Sequence, residues 1–230
     1  MKEIAFSNTL MFKLERGFQF DVLSYKLKEA FSSRGVSLIS NFSFGSGTDG
    51  LPPNMPRIQL NDSNGFYSIA VSMERVDFNV SCKDFEFSYG KFKDFVLAIY
   101  GVFHDLKVNE LFKIVSMQVI FPMKNAAFYI REHLWSGSNE FLKGVLTGAS
   151  IRKVDAIKVN DNSAILRTTS VSDAFEQNQD GTYNTFIHVF REISDQMSID
   201  EESKFSFETL ISNGDVQFSQ SSIKEILEME

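Results

Sequence analysis

The chain has 230 residues, a formal net charge of −7, 43% hydrophobic residues and 24 phenylalanines. This length predicts one large domain or two closely packed halves, and the composition is that of an ordinary globular protein. Because the chain is acidic, we expect neither a broad nucleic-acid footprint nor binding to an anionic membrane, both of which need clustered Lys and Arg. The phenylalanine excess predicts an aromatic-rich core.

The N-terminal sequence and the cysteine content predict a cytoplasmic protein. Lys2 and Glu3 lie within the first residues, which contain no sustained apolar run and do not resemble a signal peptide. No segment approaches the roughly 18 consecutive apolar residues of a membrane helix. Cys82 is the only cysteine, so the chain can form no internal disulfide, which fits a reducing compartment.

The first half of the chain predicts strands separated by two helices. The apolar spacing that starts at Phe20 predicts a helix that stops before Gly35, and a second apolar stripe predicts a helix over about 91–107. The alternation of side chains changes parity at 73–75, which predicts a tight turn or a bulge. The segments with strand-like patterns are 3–14, 36–44, 57–81, with a hairpin turn at 61–65, and 111–121.

The second half begins with helical character over 125–147, interrupted at 136–138 where two short helices should meet. A last short helix is predicted near 221–229. The intervening segments have strand-like patterns, and the first two flank a hairpin turn at 160–162. These predicted strands are 151–159, 163–171, 183–193 and 204–210.

This order of elements predicts an α+β fold, with long antiparallel β segments and about four or five helices packed on them. Strict alternation of strand and helix, which a doubly wound sheet would require, is absent from the pattern. Each half combines helices with a β-meander, so we expect two fused α+β halves, residues 1–122 and 123–230. They should meet near 122–125 and form one compact unit.

The sequence GSGTDG, residues 45–50, has the spacing of a dinucleotide-binding fingerprint. That fingerprint functions only where a helix follows, because the helix N-terminus holds the pyrophosphate. Pro52, Pro53 and Pro56 exclude such a helix here. We therefore expect residues 45–56 to form an exposed, mobile loop that binds no nucleotide.

The remaining candidates for chemistry lack the partners that each chemistry needs. His104, His133 and His188 have neither an i,i+4 histidine nor a neighbouring cysteine, so no zinc site is predicted. Cys82 has a neighbouring lysine but no base that the sequence can place beside it. Residues 178–183 imitate part of a calcium loop without its closing glutamate, and Glu202 is part of a nuclease-like fragment. We therefore predict no catalytic, metal-binding or cofactor-binding residue.

The segments PRIQL and SIAVSMERVDFNVS, followed by the Phe-rich helix from residue 91, resemble a sporadically distributed family of uncharacterised bacterial proteins of similar length. The resemblance covers about residues 57–121 and involves a β-hairpin that leads into a helix. Its motif is structural, so no functional residue transfers. The resemblance implies a bacterial or phage-borne cytoplasmic protein.

These observations favour a non-enzymatic interaction protein, either a homodimer or a component of a larger complex. The predicted strand 183–193 carries apolar side chains on both faces, so both faces need cover, and a second chain could supply it. Tyr183, Phe186 and Phe190 are the candidate interface residues. A small apolar ligand bound in a Phe-lined pocket is an alternative, and a metal-dependent nuclease or other hydrolase is a second alternative.

Overall fold

The computed structural model describes residues 3–15, 17–43, 50–82, 89–134, 148–160, 163–195 and 207–227. These residues form nine strands and five helices. The strands are β1 (Glu3–Phe12), β2 (Leu38–Ser43), β3 (Ile58–Asp62), β4 (Tyr67–Val71), β5 (Arg75–Cys82), β6 (Glu110–Pro122), β7 (Ser150–Asn160), β8 (Ser163–Gln177) and β9 (Tyr183–Ser194). The helices are α1 (Phe20–Ser32), α2 (Tyr89–Asp105), α3 (Ala126–Tyr129), which continues as a π-helical turn (Ile130–Leu134), α4 (Phe207–Gln217) and α5 (Gln220–Ile226).

All nine strands belong to one sheet in the order β2-β3-β4-β5-β1-β6-β9-β8-β7, and every neighbouring pair is antiparallel. The predicted α+β class with long antiparallel segments is confirmed. The expected turn at 73–75 is also confirmed, because Ser72 N donates to Arg75 O at 2.9 Å between β4 and β5. No helix in the described part of the chain could span a membrane.

The order of the strands repeats about the centre of the sheet. In the first half, β1 is followed by a helix and four strands, and it pairs with β5, the last of them. In the second half, β6 is followed by α3 and three strands, and it pairs with β9, again the last. β1 and β6 pair with each other in the middle. β6 is thus the counterpart of β1 in the strand order, although the boundary expected from the sequence near 122–125 places β6 in the first half.

One face of the sheet, which we call the helix face, carries the core. Alternate residues of β1 (Ile4, Phe6, Leu10 and Phe12) point to this face and are buried. Phe6 stacks on Phe92 of α2 with ring centroids 5.2 Å apart, and Phe12 packs on Phe103 at 5.0 Å. Aromatic pairs at these separations stabilise a core beyond the area that they bury.

The opposite face of the sheet is lined in its first half by small and polar side chains. Ser7 Oγ donates to Asn79 Oδ1 and Thr9 Oγ1 to Asp77 Oδ1, each at 2.7 Å between β1 and β5. An antiparallel strand with one apolar and one polar face has the alternation expected when a single face is packed. The first half of the sheet therefore has its core on the helix face.

The strand predicted over 204–210 is wrong for the residues that the structure describes, since Phe207–Gln217 form α4. The buried residues of this helix, Phe207, Leu210, Ile211 and Gly214, follow the spacing of one helical face. The short window that ends at residue 210 also fits strand alternation, and only the longer window shows the helical period. Of the helical region predicted over 125–147, residues 126–134 are helical, and 135–147 lie outside the described residues.

The glycine fingerprint lies mostly outside the described residues, which resume at Gly50. The chain that follows leads directly into β3 and contains no helix between residues 50 and 57. Arg57 is buried and donates to the carbonyl oxygens of Leu51, Pro52 and Met55, so its side chain anchors this part of the connection. The helix that a dinucleotide site needs is therefore absent from the described part of this loop.

Candidate functional site

The sheet ends at two edges, and only one of them is long and regular. β2 has six residues, and its pairing with β3 is interrupted by a register shift between Ser40 and Phe42. β7 has 11 residues and pairs with β8 in an unbroken register from Ser150 to Lys158. Because the unpaired backbone groups of an edge can accept another strand, natural edges are usually short, bulged or covered. β7 has the length and regularity to pair with another chain.

The side chains of β7 are accessible along most of the strand. Arg152, Lys153, Ala156 and Lys158 are exposed, and Val154 keeps 58% of its surface in contact with solvent. An exposed β-branched residue at the centre of an edge strand favours pairing, whereas the charges on either side of it oppose unspecific pairing. The edge of β7 therefore combines an exposed apolar side chain with flanking charges of opposite sign.

Asp155 is the electrostatic centre of this edge. Its carboxylate accepts hydrogen bonds from Nε and Nη2 of Arg167 on β8, and Lys153 Nζ lies 3.0 Å away. The hydrogen bonds from Arg167 hold the pKa of Asp155 well below its usual range, with Lys153 adding to the effect. Asp155 is therefore a fixed negative charge at neutral pH, beside an exposed lysine.

Arg167 connects the edge to the helices. Its Nη1 donates to Gln217 Oε1 of α4 at 2.9 Å. Arg191 of β9 donates to the same oxygen at 3.3 Å, to the Gln217 backbone carbonyl at 3.1 Å, and to Ser222 Oγ of α5. Burial, together with the nearby charge of Arg167, lowers the pKa of Arg191 to about 10. This network of hydrogen bonds links β7, β8 and β9 to α4 and α5.

The three predicted interface residues lie on β9, but they do not form one patch. Tyr183 lies at the start of the strand and is 57% exposed, whereas Phe186 is only 7% exposed. Phe190 is half-buried. Phe186 and Phe190 are opposite Ala174 and Ser170 of β8, on the face of the sheet away from Ile187, Val189 and Ile193. The two phenylalanines therefore share a face that Tyr183 does not.

Tyr183 belongs to a different exposed group, at the tip of the β8–β9 hairpin. Its ring meets the ring of Phe175 edge to face, with centroids 5.9 Å apart, and Phe175 is 69% exposed. Single exposed aromatic residues are common on protein surfaces, but contiguous ones are enriched at interfaces. The turn between these strands is closed by Asn178 N, which donates to Thr182 O at 2.8 Å.

Two titratable residues of β9 lie on the same face as Phe190. Burial lowers the pKa of His188 and raises that of Glu192. Within the described part of the chain, Nε2 of His188 is buried and has no hydrogen-bond partner. A catalytic histidine needs a ring nitrogen within hydrogen-bond reach of its substrate, and Nε2 of His188 is shielded from solvent.

A groove of about 760 Å³ lies between the C-terminal end of α1 and the first turns of α2. Tyr67 and Phe95 line its apolar part, and Arg34, Lys91 and Asp94 line its polar part. Phe31, Phe78 and Phe92 do not line the groove and instead pack on one another, and Phe95 belongs both to this aromatic cluster and to the groove wall. The groove has the size of a small-molecule site.

No set of residues typical of metal binding is found in the described ranges, where no three His, Cys, Asp or Glu side chains cluster. His133 stacks on Tyr129 with centroids 4.4 Å apart, His104 is exposed near the end of α2, and Cys82 is the last residue of β5. Lys113 and Asp195 form an ion pair that is completely buried, so no substrate reaches it. Glu202 lies outside the described residues.

No protein-family model and no curated protein matches this chain.

No motif in the sequence marks β7 as a functional element. The signal that could have identified it is the pattern Arg-Lys-Val-Asp over 152–155, with opposite charges on either side of Val154. Which strand lies at the edge of a sheet depends on pairing between segments that are distant in the chain. The charge pattern of β7 can contribute to binding only if the strand lies at an edge.

Proposed function

We propose that this protein is a non-enzymatic interaction protein that binds another protein chain through its C-terminal half. The observation that carries the proposal is the edge of β7, which is 11 residues long and has an exposed valine at its centre. No strand in the described part of the chain pairs with this edge, and an unpaired edge gives affinity through backbone hydrogen bonds and specificity through alternate side chains. The exposed pair Phe175 and Tyr183 adds an aromatic contact in the same half of the chain.

The proposal is tested by measuring the mass of the purified protein in solution by light scattering over a wide range of concentration. We expect a concentration-dependent species with twice the 26.2 kDa mass of one chain. Introducing a lysine by Val154→Lys should shift the equilibrium to the single chain, because a lysine at an edge opposes pairing. The matched control is Val216→Lys, at a similarly exposed valine on α4. A single chain at every concentration would contradict self-association.

The second candidate is binding of a small molecule in the groove between α1 and α2. The observation that favours it is a groove of suitable volume with an aromatic floor and two cations, Arg34 and Lys91, beside one carboxylate. This chemistry suits a ligand with an anionic group and a flat apolar body. Arg34 is oriented from within α1, since its Nη1 donates to Ala30 O at 2.9 Å.

A fluorescent aromatic sulfonate dye, 8-anilinonaphthalene-1-sulfonate, is a direct probe of this groove. We expect saturable binding to the native protein that weakens by about tenfold with Arg34→Glu, which corresponds to the loss of one charged contact. Lys28→Glu, on α1 but away from the groove lining, is the control. Binding that is equal in both variants would exclude the groove as the site.

A further inference from the structure

β7 has a sequence that is complementary to itself in one antiparallel register. Residues Lys153 and Asp155 flank Val154 on the chain and point to the helix face, whereas Val154 points to the opposite face. Two copies related by a two-fold axis perpendicular to the sheet keep their helix faces on the same side. In that arrangement a residue can lie only opposite a residue of the same face.

The register centred on Val154 places Val154 opposite Val154 of the second copy. Lys153 of each copy then lies opposite Asp155 of the other, so that two ion pairs form about the axis. The next pair outward on the same face is Ile151 opposite Ile157, an apolar pair. Side chains directly opposite in an antiparallel pair lie close enough for such pairs to interact.

The neighbouring registers of the same symmetry bring like charges together. Centring the pair on Asp155 places two carboxylates face to face, and centring it on Lys153 places two ammonium groups face to face. Like charges directly opposite one another destabilise a strand pair. Among these three registers, the one centred on Val154 is therefore favoured by its charges.

Contacts with β8 hold the backbone of the β7 edge and the carboxylate of Asp155 in place. The hydrogen bonds from Arg167 hold Asp155 in place, and the β7–β8 register is unbroken over the nine residues that would pair. Lys153 is 69% exposed, so its ammonium group can turn to the carboxylate of a second copy. The strand that would pair is therefore already extended and held in register by β8.

We propose that two copies of this chain join through β7 in the register centred on Val154, so that the sheets of both copies become continuous. This inference rests on the proposed function, because it identifies the partner as a second copy. It goes further, because it specifies which residues meet. Another protein that binds the same edge would not need this self-complementary order of charges.

Crosslinking tests the register directly. In a Cys82→Ser background, Val154→Cys should give a covalent dimer on mild oxidation, because directly opposite residues across the axis approach to disulfide distance. Val216→Cys is the control, since that side chain is also well exposed but lies on α4. Equal crosslinking of both variants, or none with Val154→Cys, would overturn the register.

A charge-complementation experiment provides an independent test. Lys153→Glu and Asp155→Lys should each dimerise about tenfold more weakly than the natural chain, because each places like charges opposite one another. Mixed in equal amounts, the two variants should form a heterodimer, since each pair of opposing charges is then complementary. Circular dichroism melts verify that each variant is folded. If Asp155→Lys does not fold, the register is tested by the weaker dimerisation expected of Lys153→Glu together with the crosslinking at residue 154.

The outcomes separate the two proposals. A dimer that neither crosslinks at residue 154 nor responds to the charge variants retains the interaction function and refutes this register. A chain that stays single at all concentrations refutes both the register and self-association. Crosslinking at residue 154 with restored association in the mixture supports both.

Discussion

At the scale of single residues, the contact between Tyr89 and α4 shows how closely the helices pack. The Tyr89 hydroxyl donates to Ile211 O at 2.9 Å, and burial raises the pKa of this phenol above its usual range. Gly214 lies against the same ring, and a Cβ atom at this position would overlap it. Gly214 is therefore required by the space that Tyr89 occupies and not by its backbone conformation.

We predict that Gly214→Ala lowers the free energy of unfolding by about 1–3 kcal/mol, the usual cost of overfilling a packed site. Gly101→Ala is the matched control, because Gly101 also lies in a helix and has open space around it. That substitution should be neutral or stabilising by up to about 1 kcal/mol. Urea unfolding measures both. If both substitutions changed the free energy of unfolding equally, overlap with the ring of Tyr89 would not be the cause of the loss at residue 214.

The pH dependence of stability tests the role of Asp155. Its pKa in the folded protein is held below the ordinary value by Arg167, so its contribution is present above the ordinary pKa and is lost as the pH falls toward the folded value. Asp155→Asn should lower stability by about 1 kcal/mol at pH 7, and the difference should shrink toward pH 2. Asp94→Asn, which removes an exposed carboxylate on α2, is the matched control, and an equal loss of stability in both variants at pH 7 would contradict the role of Arg167.

At the scale of elements, α2 is the helix that organises the first half of the core. Phe92, Phe95, Ile99 and Phe103 are buried on one stripe, as predicted, and Asp94 is exposed. The helix also contacts α4, since Lys93 Nζ lies 2.7 Å from Asp215 Oδ2. A helix with two packed sides is constrained more strongly than its amphipathic pattern alone would indicate.

We predict that Phe95→Ala or Phe103→Ala costs about 3–5 kcal/mol of stability, because each leaves a large cavity in an aromatic cluster. Asp94→Ala on the exposed face should change stability by less than about 0.5 kcal/mol. Reversible urea melts at constant pH provide the measurement. A loss below about 1 kcal/mol for both phenylalanine variants would mean that the site collapses around the missing ring.

At the scale of the whole molecule, β1 and β6 join the two halves into one sheet. They pair over most of their length, and Phe6 of β1 lies opposite Met117 of β6 on the helix face. On its other side Met117 is opposite Arg191 of β9. Met117 therefore lies between β1 and β9 and contributes to the packing of both halves. The unfolding of the two halves should be coupled for this reason.

Met117→Lys tests this coupling, because Met117 is only 3% exposed and lies beside the buried Arg191. We predict a loss of about 3–5 kcal/mol, the cost of an uncompensated buried charge. Amide exchange in β4 and in β8 should accelerate together. Gln118→Lys, one residue along on the exposed opposite face, is the control. Loss of protection in one half only would show that the halves unfold independently.

The sequence by itself determined the class of the fold and most of its elements. The alternation over 67–80, the stripe from Phe92 to Phe103 and the turn at 73–75 depend on contacts between residues close in the chain, so they can be read from local periodicity. Local periodicity predicted the wrong element at 207–210, because so short a window fits the period of a strand as well as that of a helix. The packing of Phe207 and Leu210 against the core selects the helix.

Only the tertiary structure decided where the strands lie in the sheet. The pairing of β1 with β6 brings together residues that are 98 to 117 positions apart, and no local pattern encodes such a partner. The candidate site depends on the same information, because Lys153, Val154 and Asp155 form an ordinary polar strand segment unless β7 is at an edge. Strand order is fixed by the burial of one whole face of the sheet, which is a property of all strands together.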